Sequence, residues 1–220
     1  MRQALQDLYF NPRRPRRKPW YVLNSHTTAE VSAITGVKLY KLREQQLLLA
    51  MADAKNKMIA GHFRYSRLAY EHYRGNTLFM TILRDPVSRF ISEYFYNRYK
   101  HNDHFRIKCD LDNYINSEIA LRQSQLYLSW FTDTQSKSVG QYQQAISNIN
   151  NIDIIGTVED MPRLVKALEQ RLDRKISMPI VRKNPRNHYQ QEVSAVQRKK
   201  IEVMCADDIN FYNDVCRLMN

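Results

Sequence analysis

The chain has 220 residues, enough for one domain with a full core, and its 43% hydrophobic and 25% charged residues describe a folded protein rather than a disordered one. Lys and Arg number 34 against 22 Asp and Glu, a formal net charge of +12 that points to an anionic partner. No run approaches the roughly eighteen apolar residues of a membrane-spanning helix, and Met1-Arg2-Gln3-Ala4 lacks the apolar region of a signal peptide, so a cytoplasmic protein is expected.

Met1 to Phe10 carries apolar residues at helical spacing (Leu5, Leu8, Tyr9) until Asn11-Pro12 stops it. Residues 1–19 are expected to be a helix remnant followed by the basic loop Arg13-Arg14-Pro15-Arg16-Arg17-Lys18-Pro19. Trp20 to Leu23 is a candidate short strand, and Val37 to Asn56 a helix without Gly or Pro. Lys57 to His62 is a short apolar run ending in Gly-His and Thr77 to Leu83 a continuous one, the pattern of parallel strands buried on both faces. Asp85-Pro86 then supplies an N-cap and a first-turn proline for a helix to Tyr99.

Leu111 to Phe131 predicts one or two helices and Gln141 to Asn150 another. Asn151 to Val158 is a third buried strand, and Glu159-Asp160-Met161-Pro162 opens a helix to about Arg171. Beyond a loop containing Pro179 and Pro185, Ser194 to Met219 closes the chain as one helix or two, with a break near Asp207-Asp208. Strands alternating with helices predict a single α/β domain over residues 1–220, three-layered around a central parallel sheet.

Composition removes several chemistries. The glycines are Gly36, Gly61, Gly75, Gly140 and Gly156, none closer than fourteen positions to the next, so neither GxGxxG nor a Walker loop can occur. His101-Asn-Asp-His104 has nothing nearby to complete a ligand set and predicts a solvated loop, so no metal is expected. Cys205 and Cys216 lie about three turns apart on what predicts a single helix, too far to bridge, and with Cys109 they suit a reducing compartment.

Ligands of parallel sheets bind beyond the carboxyl ends of the strands. The run Thr77 to Leu83 delivers Arg84 there, and the helix that follows presents Ser88 and Ser92 on one face. Arginine, helix N-terminus and serine hydroxyls together can hold a phosphate dianion without glycine.

Leu83-Arg84-Asp85-Pro86-Val87-Ser88-Arg89-Phe90-Ile91-Ser92 resembles the 3′-phosphate-binding segment of sulfotransferases that use 3′-phosphoadenosine 5′-phosphosulfate (PAPS). It is closest to the carbohydrate group that includes the heparan sulfate 2-O-sulfotransferase-like enzymes. Three further segments agree in order: Ala60-Gly61-His62-Phe63 with the family's Gly-His-Phe element, Gly156 to Glu159 with its Gly-x-x-Glu, and Asp208 to Tyr212 with its closing Asp-x-x-x-Tyr.

The resemblance implies a P-loop-NTPase-like sulfotransferase fold, with PAPS as cosubstrate leaving as adenosine 3′,5′-bisphosphate. It implies a hydroxyl-bearing glycan, of either neutral or anionic kind, as acceptor. Arg84 and Ser92 are then the cofactor-binding residues and His62 the catalytic base. Arg182 and Lys183, with Arg186, stand where family members close a loop over cofactor or acceptor.

Each residue has a plainer reading beside this one. His62 can be a core-edge histidine, Arg84 an arginine paired with Asp85, and Arg182 and Lys183 part of a solvated basic loop. Arg89 is expected to pair with Glu93, and Tyr94, Phe95, Tyr96 and Tyr99 to pack in a core or an interface.

The family's earlier Lys-Thr-Gly-Gly-Thr-Ser-like loop, which holds the 5′-phosphosulfate, has no counterpart in this sequence. The sheet is therefore expected to lack its first strand, and a Golgi location stays open if residues precede Met1. Two alternatives follow: an inactive truncated sulfotransferase-like protein, or a basic nucleic-acid-binding protein using Arg13 to Lys18 as a phosphate-contacting arm.

Overall fold

The computed structural model describes residues 1–10, 18–103, 105–132, 140–177 and 192–219. The chain divides into two compact units, Met1–Phe79 with Val165–Val181, and Met80–Leu164 with Arg182–Asn220.

The first unit runs α1 (Arg2–Tyr9), β1 (Trp20–Val22), α2 (Ser25–Thr35), α3 (Leu39–Ala52), β2 (Met58–Ala60) and α4 (Arg67–Tyr73). Strands β1 and β2 pair in parallel, Trp20 opposite Met58 and Val22 opposite Ala60. The ladder is lengthened at both ends, by the Leu23 amide donating to the Ala60 carbonyl at 2.9 Å and the Lys57 amide to the Pro19 carbonyl at 2.7 Å. Helices α1 and α3 pack on β2, with Ala4, Leu5, Leu23 and Ala50 buried.

Helices α2 and α4 occupy stretches for which periodicity alone gave no assignment, and their caps explain them. The Asn24 side chain accepts from the amides of His26 and Thr27, and the Ser66 hydroxyl accepts from that of Ala69. Gly36 ends α2 at φ 69°, a left-handed conformation in which any Cβ is strained.

The second unit runs β3 (Met80–Leu83), α5 (Pro86–Tyr99), α6 (Leu111–Ile115), α7 (Glu118–Ser124), α8 (Leu126–Trp130), α9 (Gln141–Ile149) and β4 (Ile154–Thr157). There follow α10 (Met161–Leu172), of which this unit holds the first turn and the first unit the remainder, then α11 (Ala195–Met204) and α12 (Ala206–Leu218). Strands β3 and β4 are parallel, Met80 opposite Ile154 and Leu83 opposite Thr157.

Val87, Phe90, Ile91, Tyr94 and Phe95 of α5 form one core cluster with Leu111, Tyr114, Ile115, Ala120, Ile201 and Cys205. Helix α12 adds Phe211 and Val215, both fully buried, and packs on α5, α8, α9 and α11.

The chain is thus mixed α/β with parallel strand pairing. The described strands form two separate two-stranded sheets, β1-β2 and β3-β4, where a single central sheet of three layers was expected. The expected run Thr77–Leu83 is paired only over Met80–Leu83, because its partner offers four residues.

Leu111 to Phe131 forms three short helices rather than one or two. Ser117 re-caps the chain at the Ala120 amide, at 3.2 Å, and Gln125 separates α7 from α8. The break in the closing helix falls at Cys205, while Asp207 and Asp208 lie in the first turn of α12, the end at which a helix favours negative charge. Cys205 and Cys216 are therefore not on one helix as expected, and Cys109, Cys205 and Cys216 are all free thiols.

Candidate functional site

In the second unit the carboxyl ends of β3 and β4 lie side by side, locked by the Val158 amide donating to the Leu83 carbonyl at 2.8 Å. Arg84 and Asp85 leave one strand and Glu159 follows the other. The Asp85 carboxylate accepts from the Ser88 amide at 2.7 Å, as its N-cap position predicts, and the Asp85 amide donates to Glu159 Oε1 at 3.1 Å. Glu159 Oε2 accepts from the Tyr212 hydroxyl at 3.0 Å. Burial, then this carboxylate acceptor, raises the Tyr212 pKa.

Tyr127 holds the Arg84 backbone from its other side. Its hydroxyl accepts from the Arg84 amide at 2.9 Å and donates to the Arg84 carbonyl at 2.7 Å. Burial pushes this phenol up to about 12, against the opposing pull of the Arg84 hydrogen bond and the Arg89 charge. Nothing in the local sequence around Tyr127 marks it for this role, because its partner lies 43 positions away.

Asp208 is fully buried and acts as an N-cap for α8 supplied from α12. Its Oδ2 accepts from the Tyr127 amide at 2.9 Å and its Oδ1 from the Leu128 amide at 3.3 Å. Burial lifts the carboxyl to about 6, although these amides and Arg89 pull it down.

Arg89 is an internal residue of the same hub. It pairs with Glu93 at 3.1 Å, as its spacing predicts, donates to the Gln123 carbonyl at 2.5 Å and approaches Asp208 at 3.7 Å. Its guanidinium also lies 5.2 Å from the centroid of the Tyr127 ring. Among the described residues, the buried Arg89 Nε and Gln123 Oε1 have no hydrogen-bond partner.

Three of the sequence segments singled out above, Arg84–Ser92, Gly156–Glu159 and Asp208–Tyr212, are therefore brought together at one end of the β3-β4 pair. Glu159, Asp208 and Tyr212 tie the backbone in place. The groups left to meet a ligand are the half-buried side chains of Arg84, Ser88 and Ser92.

Asp85 is committed to capping α5, and among the described residues Arg84 has no ion pair and the Ser92 hydroxyl no hydrogen bond. The N-terminus of α5 is less available than expected. Pro86 has no N–H, and the Ser88 and Arg89 amides go to the Asp85 side chain and carbonyl, which takes these backbone donors away from an anion here. Tyr94 and Phe95 are core residues, whereas Tyr96 and Tyr99 are exposed, and Tyr99 stacks on Phe95 at 6.1 Å.

In the first unit Gly61 and His62 follow β2. A Cβ on Gly61 would lie 2.5 Å from Leu23 Cβ and 2.8 Å from the Phe63 ring, so glycine permits the tight exit that sets His62. His62 is exposed, yet the surrounding chain displaces enough water that desolvation, then the Arg43 charge, lowers its pKa. Arg43 Nη1 donates to the His62 carbonyl at 3.3 Å.

Arg182, Lys183 and Arg186 lie outside the described residues, as does His104 of the His101-His104 loop. Among the described residues no three His, Cys, Asp or Glu side chains are grouped to hold a metal, and no helix is long and apolar enough to cross a membrane. No family model, no curated protein and no solved structure matches the chain.

Proposed function

We propose that the protein is a PAPS-dependent sulfotransferase that moves a sulfuryl group to a hydroxyl of a carbohydrate or similar acceptor. The observation that carries this reading is the meeting of Arg84–Ser92, Gly156–Glu159 and Asp208–Tyr212 at one strand end. It leaves a half-buried guanidinium without an ion pair among the described residues.

A 3′-phosphate fits that chemistry: Arg84 supplies charge and a donor fork, while Ser92 supplies a hydroxyl two helical turns along. PAPS, when bound, supplies an activated sulfuryl group and a stable bisphosphate leaving group. The Tyr127 hydroxyl orients Arg84 by fixing its backbone. His62 is assigned as the base that accepts the acceptor hydroxyl's proton on an imidazole nitrogen, and its lowered pKa keeps it neutral for this task near pH 7.

The test is a calorimetric titration with adenosine 3′,5′-bisphosphate, with AMP as the control lacking the 3′-phosphate. Micromolar binding that AMP does not reproduce is expected, and Arg84→Ala should weaken it roughly tenfold or more. Equal binding of both nucleotides, or unchanged affinity in the variant, would remove the 3′-phosphate site and the reading with it.

A further inference from the structure

A second cationic feature lies in the first unit, on α3. Tyr40 and Arg43 are three positions apart on this helix and share a face. Arg43 reaches the turn after β2, where its Nη1 donates to the His62 carbonyl at 3.3 Å, and its Nε lies 3.5 Å from the hydroxyl of the buried Thr28. Arg64, two residues beyond His62, lays its guanidinium over the Tyr40 ring, 4.9 Å from the centroid. Helix and turn thus place both guanidinium groups about α3 and the His62 turn, near enough for the Arg64 charge to act on Arg43.

Among the described residues neither Arg43 nor Arg64 has an ion pair. Glu44, the adjoining carboxylate, is engaged elsewhere: its Oε1 accepts from the Ser66 hydroxyl at 2.8 Å and its Oε2 from Lys41 at 3.2 Å. Among the described residues Arg64 Nη1 is buried with no acceptor. Such a nitrogen is costly unless an acceptor arrives, and two like charges at close quarters add to that cost. Burial, then Arg64, lowers the Arg43 pKa, the direction that mutual repulsion of two cations produces.

We propose that Arg43 and Arg64 form an oxyanion site that takes a sulfate or phosphate group. A tetrahedral oxyanion has oxygens enough to accept from the remaining N–H donors of both guanidinium groups at once, which a carboxylate held on one of them does not. The inference does not depend on the transfer reading, and Arg84 has no part in it.

His62 is the reporter, because Arg43 depresses its pKa and an anion on Arg43 offsets that effect. The experiment follows the His62 imidazole by NMR as sodium sulfate replaces sodium chloride at constant ionic strength, with glucose 6-phosphate as a second titrant. A saturable rise in the His62 pKa is expected with sulfate. Tighter binding of the sugar phosphate would assign the group to an ester, and equal or weaker binding to the free ion, either of which supports the site.

Arg64→Gln should weaken sulfate binding roughly tenfold or more, whereas Arg84→Ala should leave it unchanged. Arg64→Lys keeps the charge without the fork and should bind less tightly than the native chain, which decides the matter if Arg64→Gln does not fold. The proposal is overturned by the absence of a saturable shift, by native affinity in both Arg64 variants, or by a loss in Arg84→Ala equal to that in Arg64→Gln. Failure of adenosine 3′,5′-bisphosphate to bind would leave these outcomes untouched.

Discussion

The Tyr127 hydroxyl spans the Arg84 residue, accepting from its amide at 2.9 Å and donating to its carbonyl at 2.7 Å. Tyr127→Phe strands both backbone groups, a loss of about 1–3 kcal/mol for such half-buried partners. At about 2–4 °C per kcal/mol for a chain of this size, the melting temperature should fall by several degrees. Because Arg84 loses its brace, affinity for adenosine 3′,5′-bisphosphate should fall as well. A variant that melts with the native protein would show that the bracket carries no stability.

Asp208 makes stability depend on pH in an unusual direction. Its folded pKa is raised by burial to about 6 from the ordinary carboxyl value of 3.8, so between these values the folded state binds more protons than the unfolded one. Stability from this group is therefore complete below about pH 4 and is lost as pH rises through 6, by about 3 kcal/mol from the two-unit difference. Other carboxylates contribute their own slopes, so the informative quantity is the native chain against Asp208→Asn. Chemical denaturation at several pH values should show the native chain losing ground to the variant between pH 4 and 6 and running parallel to it above 7.

Gly156 is a packing requirement of the β4-α10 connection. A Cβ there would sit 2.6 Å from Leu164 Cδ2 and 2.8 Å from Leu164 Cβ, too close for any rotamer of Leu164 to relieve entirely. Gly156→Ala should cost about 1–3 kcal/mol by overpacking. Gly75→Ala is the control, since nothing lies within 4 Å of its new methyl. Comparable melting temperatures for the two variants would contradict the close approach.

His62→Ala separates binding from transfer. If His62 is the base, turnover should fall roughly a hundredfold or more while adenosine 3′,5′-bisphosphate binds as before. The acidic limb of the native pH–rate profile should lie below the ordinary histidine value of 6.5, because burial and Arg43 both disfavour the charged ring. A variant with full turnover would return His62 to a structural role at the edge of the core.

Local signals carried α5 and the long apolar runs but not α2 and α4, although Asn24 and Ser66 cap them. Asp85-Pro86 announced α5, and its carboxylate does accept from the Ser88 amide. The i,i+4 spacing of Arg89 and Glu93 predicted an ion pair that forms at 3.1 Å. Apolar runs marked all four strands, β1 to β4, though each pairs over fewer residues than its run, because a ladder ends where its partner does.

The sequence by itself therefore determined the parallel-strand and helix alternation, the polar strand end at Arg84 and the basic excess. Only tertiary structure decided that the described strands form two pairs and that Asp208 caps a helix some eighty positions earlier. It also decided that Tyr127 braces Arg84, that Arg43 reaches the His62 carbonyl and that Arg64 lies over the Tyr40 ring. The reason is the range of the interactions. Capping and i,i+4 pairing act within one helical turn and are written in adjacent residues, whereas a buried carboxylate or a phenol finds its partner only after the chain has closed.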